Sequence, residues 1–487
     1  MSLASLAVRA FFASGDEAAA AASHAGHPPV PLYQTLIFAG LLGALILALA
    51  LEEKLHAKKS VITSVFAIVC LLLGEIMGLI HRDPVKFLGH TVDLPVYIPG
   101  IDWGVIAIIL GSSIFVDVTS QSGLFTWIAI KLTKMSRGEP RRLLILYGAM
   151  TVLFSAVLNN VTAMIIVGSL TAVSLSKLER REYLLGFLLI EGLLTNVGGL
   201  LTLISSVPNI IVGQAAGISF LTFFVRAAPY VLLATIVTIW LGARLFQIKP
   251  LANDKERKEA LAMVSAFDEN DGVASKGFFW FGTAMLVLFI LTIATASALP
   301  YIRDLGMGFV AMFFAVVMLI RVKSEADKIY KAVDWDLIAF FAGLFVTINV
   351  MEHAMVLDMI GGALKPVLGL GTRAGSALMV VLSGLFSSVT DNIPLSAMLA
   401  KIMRNSPAVV PDPAVGNPSS PFWWSVIFGA NLGGNLTPIG SASTLVAVTI
   451  MHKHKLRVSF LGFVKKAAPY ALIQLVLAVV YILLFMR

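Results

Sequence analysis

The sequence has few charged residues and only one cysteine. Asp, Glu, Lys and Arg make up 13% of its 487 residues, whereas soluble domains contain about 25%. Hydrophobic residues account for 58%. This composition excludes an ordinary soluble domain and predicts a multi-pass integral membrane protein. Cys70 is the only cysteine. An intramolecular disulfide, a cysteine-cluster metal site and a thiol relay are therefore also excluded.

The sequence also lacks the short motifs of membrane enzymes and ATP-driven pumps. It contains neither HExxH nor GxSxG, and no acidic pair lies at helical spacing deep in an apolar segment. The Walker A motif GxxxxGK[ST] is absent too. We therefore expect neither an enzyme nor a cofactor, and we expect any coupling within this chain to come from an ion gradient.

Apolar segments long enough to cross a bilayer as helices recur along the chain. Two more apolar stretches, 142–178 and 374–404, have polar centres and predict re-entrant hairpins. Residues 1–34 form an N-terminal extension whose first apolar run is too short to span, and which is either a signal remnant or a surface helix. The ten predicted crossings are 35–51, 60–80, 103–130, 185–216, 221–248, 277–299, 305–321, 336–352, 422–451 and 463–485.

The net charge of +8 comes from Lys and Arg in short patches between the apolar segments. Positive-inside topology explains such patches better than nucleic-acid binding does. We therefore expect a lipid bilayer as partner, no nucleic acid, and location in the bacterial inner (plasma) membrane. The predicted cytoplasmic patches are 52–59, 131–142, 177–182, 249–260, 321–331 and 452–457, and the predicted outer loops include 81–100 and 406–421.

Four blocks of the first half recur in the second half, in the same order and at nearly constant spacing, which indicates an internal duplication. The matched pairs are DWGVIAI (102–108) with DWDLIAF (334–340), SAVLNNVTAMIIV (155–167) with SSVTDNIPLSAML (387–399), NVGGLLTLI (196–204) with NLGGNLTPI (431–439), and ISFLTFFVRAAPY (218–230) with VSFLGFVKKAAPY (458–470).

The two copies are predicted to have opposite orientations. If each hairpin enters and leaves on one side, the chain crosses five times between Trp103 and Trp335, and an odd number inverts the copy. The predicted organisation is a first inverted repeat at 35–248, a cytoplasmic linker at 249–276 and a second inverted repeat at 277–487. The expected fold is an all-α polytopic membrane protein with about ten transmembrane helices plus two re-entrant hairpins, and broken helices at the midplane. This arrangement is typical of secondary transporters.

Each half contains one segment that predicts an unwound turn, TNVGGLLTLISSVPNI (195–210) and ANLGGNLTPIGSAST (430–444). Glycine pairs allow backbone angles that other residues resist, and Pro208 and Pro438 interrupt helical pairing. An unwound turn persists in a membrane only where it is buried in protein or lines a wet cavity. Although a single Asn196 or Asn431 would favour an interhelical hydrogen bond, their recurrence in both halves beside threonines favours a binding site.

Ionisable residues within apolar segments are the other pointer to function, because a buried charge is costly. Asp391 lies at the second hairpin tip, where it is either a coupling carboxylate or a helix cap. Asp117 lies inside the segment 103–130, and Glu191 precedes Thr195 by one helical turn. We expect coupling carboxylates among these three residues and a Na⁺ site at the hairpin tips.

The segments LNNVTAMIIV, LLTNVGGLLTLISSVPNIIVGQAAGISF, TDNIPLSAML and FGANLGGNLTPIGSAS resemble the ion transporter superfamily. Within it they are similar to the arsenite permease and D-type Na⁺/H⁺ antiporter branch (ArsB/NhaD). The chain is also similar to the pink-eyed-dilution protein and to divalent anion/sodium symporters. The resemblance implies a homodimer in which a transport domain of hairpins and broken helices moves against a scaffold as an elevator.

The resemblance places substrate and ion ligands at the hairpin tips and the unwound turns. In the first half the candidates are Asn159, Asn160, Thr162, Thr195, Asn196, Gly198, Gly199, Thr202, Ser206, Pro208 and Asn209. In the second half they are Thr390, Asp391, Asn392, Pro394, Asn431, Gly433, Gly434, Asn435, Thr437 and Ser441.

The first half departs from the pattern of the family. Relatives commonly carry Asp-Asn at both tips, whereas this chain has Asn159-Asn160 at the first, and SSVPN stands where GDPPN is commoner. A site poor in carboxylates but rich in Asn, Ser and Thr favours a small anion, either inorganic or a carboxylate, moved with Na⁺ or H⁺. A Na⁺/H⁺ antiporter using Asp391, an arsenite efflux permease and, more remotely, an ion channel remain the alternatives.

Overall fold

A computed structural model describes residues 30–80, 85–87, 90–92, 94–95, 97–405 and 419–486. The predicted N-terminal extension and the predicted outer loop at 406–421 lie largely outside these residues, and the predicted outer loop at 81–100 lies partly outside them. The helices are α1 Leu32–Ala50, α2 Glu52–Leu55, α3 Lys59–Ile76, α4 Trp103–Gln121, α5 Leu124–Ser136, α6 Pro140–Val157, α7 Asn160–Lys177, α8 Leu184–Gly198, α9 Val207–Ala215, α10 Phe220–Leu245, α11 Asp254–Ser265, α12 Lys276–Thr295, α13 Ile302–Arg321, α14 Ala326–Ala332, α15 Trp335–His353, α16 Val356–Leu368, α17 Gly371–Val389, α18 Asn392–Asn405, α19 Pro421–Gly433, α20 Ala442–Lys453 and α21 Phe460–Phe485.

Helices dominate the described part of the chain, and eleven of them are long and apolar enough to cross a membrane. The strands there are short, β1 Val85–Phe87 paired antiparallel with β2 His90–Val92. The prediction of an all-α polytopic fold is therefore confirmed. Its division into an extension, two repeats and a linker stays a prediction.

The broken helices occur where the glycine pairs predict them. Helix α8 ends at Gly198 and α9 starts at Val207, while α19 ends at Gly433 and α20 starts at Ala442. Each first piece is followed by short turns rather than by a continued helix. Each second piece starts with a short polar residue and an extended backbone, Ser206 or Ser441, which is typical of a helix N-cap.

The prediction of one crossing at 103–130 is wrong, because this stretch contains the end of α4 and the start of α5. Gly123 between them has a φ of +82°, a left-handed conformation that ends a helix. The repeat places Met355 at the matching position, also with a positive φ of 59°, before α16. We did not predict α16, because methionine gives no turn signal.

Helix contacts between the two halves come in matching pairs. Helix α3 packs on α15 and α13 packs on α4, while α7 contacts α20 and α18 contacts α9. Gly111 of α4 and Gly343 of α15, which match in the repeat, both allow close approach: a Cβ at Gly343 would lie 3.0 Å from the backbone of Thr63. The duplication therefore extends from the sequence to the packing.

A second close approach fixes each hairpin against a broken helix. A Cβ added at Gly433 would lie 2.8 Å from the Cα atom of Gly384, and one at the matching Gly198 would lie 2.7 Å from the Cα atom of Val152. Both neighbours are backbone atoms that no side-chain rotation can move. Helices α17 and α19 are thus held at a separation that only glycine permits.

We expect Gly433→Ala to destabilise the protein by about 2 kcal/mol, because overpacking against backbone forces the helices apart. The measurement is the melting temperature of the purified protein in detergent. Gly43→Ala is the matched control, since Gly43 lies in α1 with nothing within 4 Å of an added Cβ. Its melting temperature should stay the same or rise, as alanine favours helix. Equal melting temperatures for the two variants would contradict the close approach.

Candidate functional site

The two hairpin tips are tied to the broken helices by matching hydrogen bonds. The hydroxyl of Thr202 donates to the carbonyl of Ala156, and that of Thr437 donates to the carbonyl of Ser388, each at 2.6 Å. The Ser155 hydroxyl lies 2.6 Å from the carbonyl oxygen of Thr195. The matching Ser387 hydroxyl donates to a carbonyl of α19 at 2.5 Å. These bonds occupy carbonyls near the helix breaks and hold tip and turn together.

Asn196 connects the first hairpin to the broken helix of the other half. It is fully buried, and its Oδ1 accepts from Asn160 Nδ2 at 3.2 Å and from the Ser443 hydroxyl at 3.1 Å. Its Nδ2 donates to Asn435 Oδ1 and to Ser441 Oγ, both at 2.8 Å. All four hydrogen-bonding positions of this amide are therefore filled, and they join three separate segments.

Asn431 makes the matching connection in the other direction. Its Oδ1 accepts from the Ser206 hydroxyl at 2.7 Å, and its Nδ2 donates to Asn209 Oδ1 at 2.9 Å. Asn209 in turn donates to the carbonyls of Gly199 and Thr202. The two asparagines that recur in the sequence thus cross-link the two repeats symmetrically, each through the serine that precedes the second helix piece of the other half.

A cavity of about 320 Å³ lies where these segments meet. The first turns of four helices line it: α7 from the first hairpin, α18 from the second, and α9 and α20 from the broken helices. Residues of α4 and of the stretch Ala332–Asp334 complete the lining. The predicted residues brought to it are Asp117, Asn159, Asn160, Thr162, Asn196, Ser206, Pro208, Asn392 and Ser441.

The other predicted ligands lie behind this lining. Thr195, Asn209, Asn431 and Asn435 are fully buried, and Thr202 and Thr437 make the bonds to the hairpins described above. The glycines of the two turns pack against neighbouring atoms, as Gly199 does against the Asn160 side chain and Gly434 against Gly440. Outside the lining are Thr195, Gly198, Gly199, Thr202, Asn209, Thr390, Asp391, Pro394, Asn431, Gly433, Gly434, Asn435 and Thr437.

The three candidate carboxylates occupy different environments. Asp117 lines the cavity, and its Oδ2 is buried without a hydrogen-bond partner among the described residues. Glu191 is fully buried away from the cavity lining, where its Oε1 accepts from Thr171 at 2.6 Å. Asp391 caps the second tip through Ile393 N and forms an ion pair with Lys59, with Nζ and Oδ2 2.5 Å apart.

Five polar residues of the lining were not predicted from the sequence: Ser112, Ser113, Ser205, Asp334 and Ser443. Ser443 lies two residues after the predicted Ser441, so the sequence could have indicated it. In the structure its hydroxyl donates to Asn196 Oδ1. Ser112 and Ser113 stand opposite Leu344 and Phe345 in the repeat. This stretch of α4 is thus polar where the matching stretch of α15 is apolar. That difference was the sequence signal that α4 lines the cavity.

Comparisons with known proteins identify the family of the chain. A family model described as citrate transporter matches residues 44–426. The 46 kDa membrane protein of Mycobacterium leprae is 31% identical over 383 residues, covering 79% of this chain and 86% of that protein. An uncharacterized transporter of Mycobacterium tuberculosis is 31% identical over 384 residues, with the same coverage.

More distant similarities extend over most of the chain. The human P protein is 24% identical over 498 residues, which cover 86% of this chain and 58% of that protein. The crystal structure of the YdaH transporter of Alcanivorax borkumensis matches with a TM-score of 0.53 and 14% identity, covering 87% of this chain and 97% of that one. The family match and the relatives that are named transporters set the class of the protein. The chain is therefore a multi-pass membrane transporter, not an enzyme, and it belongs to the citrate transporter family.

Proposed function

We propose that this protein is a secondary active transporter that moves a small carboxylate or oxyanion through the cavity, coupled to a Na⁺ or H⁺ gradient. The observation that carries the proposal is the meeting of four helix N-termini at one cavity between the repeats. Each helix N-terminus carries about half a positive charge on unpaired backbone N–H groups. Four of them offer about two positive charges to an anion.

An anion in the cavity would be bound by these backbone N–H groups and by neutral side-chain donors. Asp117 and Asp334 are the acidic residues of the described lining, and none of its residues is Lys or Arg. Asp334 is already engaged as the cap of α15. The amides and hydroxyls of both repeats then supply the specific contacts. Because the family model is described as citrate transporter, citrate is the first substrate to test.

The position of the cavity supports an elevator-type cycle of alternating access. Its lining includes Ala332–Asp334, directly after the basic patch 321–331 that the positive-inside rule places in the cytoplasm. The cavity thus faces the cytoplasm in this arrangement, and transport requires a second arrangement that faces outward. The predicted homodimer and the predicted location in a bacterial inner membrane complete this proposal.

A second candidate, a Na⁺/H⁺ antiporter of the arsenite permease and NhaD branch, is favoured by one observation. Asp391 is a carboxylate at a hairpin tip, next to Asn392 in the cavity lining. Such a group binds Na⁺ and H⁺ in competition when it is the exchange site. This reading requires a Na⁺-dependent proton flux with no organic or oxyanion substrate present.

We expect purified protein in proteoliposomes to take up radiolabelled citrate with saturation, with dependence on an imposed Na⁺ or proton gradient, and with counterflow. Unlabelled succinate, sulfate and arsenite, added one at a time, rank the substrates by competition. A pH-sensitive dye in the same vesicles reports any proton flux when Na⁺ or Li⁺ is added alone. Liposomes without protein are the control.

Three results would separate the readings. Proton flux driven by Na⁺ alone, with no uptake of any anion, replaces the anion transporter with the antiporter. Flux that neither saturates nor depends on a second ion, without counterflow, indicates a channel and contradicts both. If arsenite alone competes for uptake, the protein is an arsenite permease.

A further inference from the structure

An ion pair joins the tip of the second hairpin to a helix outside the cavity. Lys59 begins α3, and its Nζ lies 2.5 Å from Asp391 Oδ2 and 3.7 Å from Glu52 Oε1. The side chains are 27% exposed for Lys59 and 13% for Asp391. Partial burial makes this pair stronger than a surface salt bridge and makes its separation costly.

The two partners lie on different elements of the fold. Helix α3 packs on α15 and α1, and none of its described residues lines the cavity. Asp391 immediately precedes Asn392, whose side chain is 7% exposed and lines the cavity at the start of α18. The pair therefore connects a helix beside the site to an element of the site itself.

The ion pair lies at the end of the molecule toward which the cavity opens. Lys59 ends the basic patch 52–59, which is predicted to be cytoplasmic. The neighbouring Ser60 hydroxyl donates to Asp336, two residues beyond Asp334 of the cavity lining. The second hairpin tip is thus held near the cytoplasmic end while the cavity faces the cytoplasm.

Glu52 gives Lys59 a second partner. Its ammonium group lies 3.7 Å from Glu52 Oε1, so Lys59 would keep a counter-ion if the hairpin tip moved away. The first hairpin tip has no equivalent arrangement, because its matching residue is the neutral Asn159. The pair is therefore available to one tip and in one arrangement of the two repeats.

We infer that Lys59 is a tethered cation that competes with Na⁺ for Asp391 while the cavity faces the cytoplasm. In this arrangement its ammonium takes the place of the coupling ion and displaces it into the cytoplasm. When the tip moves outward, Lys59 remains with Glu52, and Asp391 becomes free to bind Na⁺ from outside. Competition for Asp391 stands on the geometry alone, whereas its use in transport rests on the proposed function.

The test measures Na⁺ binding without any transported substrate. Bound Na⁺ raises the melting temperature of purified protein according to its concentration relative to Kd. We expect Lys59→Met to lower the Na⁺ concentration that gives half of this rise by about tenfold, since an intramolecular competitor is removed. Glu52→Gln should raise that concentration. Of the two carboxylates that pair with Lys59, Asp391 then remains, so Lys59 competes with Na⁺ more strongly.

Two further variants protect the test against misfolding and general charge effects. Lys59→Arg keeps the positive charge and should leave the Na⁺ midpoint within about threefold of wild type. Lys134→Met removes another half-buried lysine, which pairs with Glu269 at 3.3 Å in the linker, and should leave the midpoint unchanged. Equal midpoints in Lys59→Met and wild type, or no Na⁺ response in either protein, would overturn the inference.

Transport assays separate this inference from the proposed function. In vesicles of defined orientation, Lys59→Met should lower the KM for Na⁺ on the cytoplasmic side by about tenfold and leave the outer KM unchanged. Citrate uptake with equal midpoints for wild type and Lys59→Met refutes the competition and leaves the function standing. If the midpoint shifts but the protein transports none of the tested anions, the competition stands and the proposed function is refuted.

Discussion

Replacing Asn196 by leucine should reduce transport at least about 100-fold while leaving a folded protein. Asn196 is a fully buried amide that both lines the cavity and joins the first hairpin to the unwound turn of the second half. Leucine fills a similar volume but removes four hydrogen bonds. Asn160, Ser441 and Ser443 of the lining then lose the partner that orients them, and the buried Asn435 loses one of its hydrogen bonds.

The energies decide between loss of folding and loss of function. Side-chain hydrogen bonds between membrane helices contribute about 0.6 kcal/mol each, so four of them amount to about 2 kcal/mol. A membrane protein tolerates a loss of this size, whereas displacing several ligands by a fraction of an ångström costs orders of magnitude in rate. We therefore expect a modest decrease in melting temperature together with nearly complete loss of uptake.

Gln474→Met is the matched control for this variant. Gln474 is 1% exposed and bonds Asn435 at 2.7 Å and Thr238 at 2.9 Å, but it does not line the cavity. Its loss should lower the melting temperature to a similar extent and reduce uptake by no more than about threefold. If the Asn196→Leu variant transports within threefold of wild type, the buried amide network is structural and the binding site lies elsewhere.

The recurring asparagines show how far the sequence alone could locate the site. The repeat identified Asn196 and Asn431 as partners, and in the structure both connect the two halves. Asn196 lines the cavity and Asn431 does not, so the two repeats contribute unequal sets of residues to it. A duplicated sequence presents the two halves as equivalent, so it cannot indicate which of two matched residues lines the cavity.

The residues that sequence reasoning missed have a related explanation. Ser112 and Ser113 lie on α4, whose apolar residues surround it without a clear polar face. Which side of such a helix meets the cavity is set by its contact with α13, and that contact depends on the distant Ala311 backbone beside Gly111. Local patterning carries no information about a neighbour some 200 positions away.

The ion pair of Lys59 with Asp391 was equally hidden in the sequence. Asp391 was identified by its place at a repeated hairpin tip, but Lys59 stood in a basic patch that positive-inside topology already explained. Most residues of such patches are solvated, and nothing in the patch 52–59 marks one lysine as half-buried. The pairing depends on the close packing of α3 with α15, which brings Ser60 to Asp336 and Lys59 to the hairpin tip.

Asp391→Asn should abolish the accumulation of substrate against its gradient while allowing substrate to equilibrate across the membrane. The proposed coupling requires a carboxylate that binds the cation, and Asp391 is the only acidic residue at either hairpin tip. Asparagine keeps the size of the side chain and an acceptor for Ile393 N, which Asp391 Oδ1 bonds at 3.1 Å. The hairpin cap is therefore retained, and what disappears is the charge.

The decisive measurement is the ratio of internal to external substrate at steady state in proteoliposomes with an imposed Na⁺ gradient. Wild type should exceed a ratio of one, and Asp391→Asn should approach one, with counterflow retained. Glu269→Gln is the control, because it also neutralises a carboxylate paired with a lysine, at a site in the linker. It should accumulate substrate as wild type does.

The outcome also discriminates between the two carboxylates near the site. Asp117 lines the cavity directly and its Oδ2 is buried without a hydrogen-bond partner among the described residues, whereas Asp391 forms an ion pair with Lys59. If accumulation persists in Asp391→Asn but is lost in Asp117→Asn, coupling belongs to α4 and the hairpin carboxylate is a cap with a lysine partner. The other outcome is that Asp391→Asn loses accumulation while Lys59→Met binds Na⁺ more tightly. These opposite effects then have one cause, because the lysine and the coupling ion occupy the same carboxylate in turn.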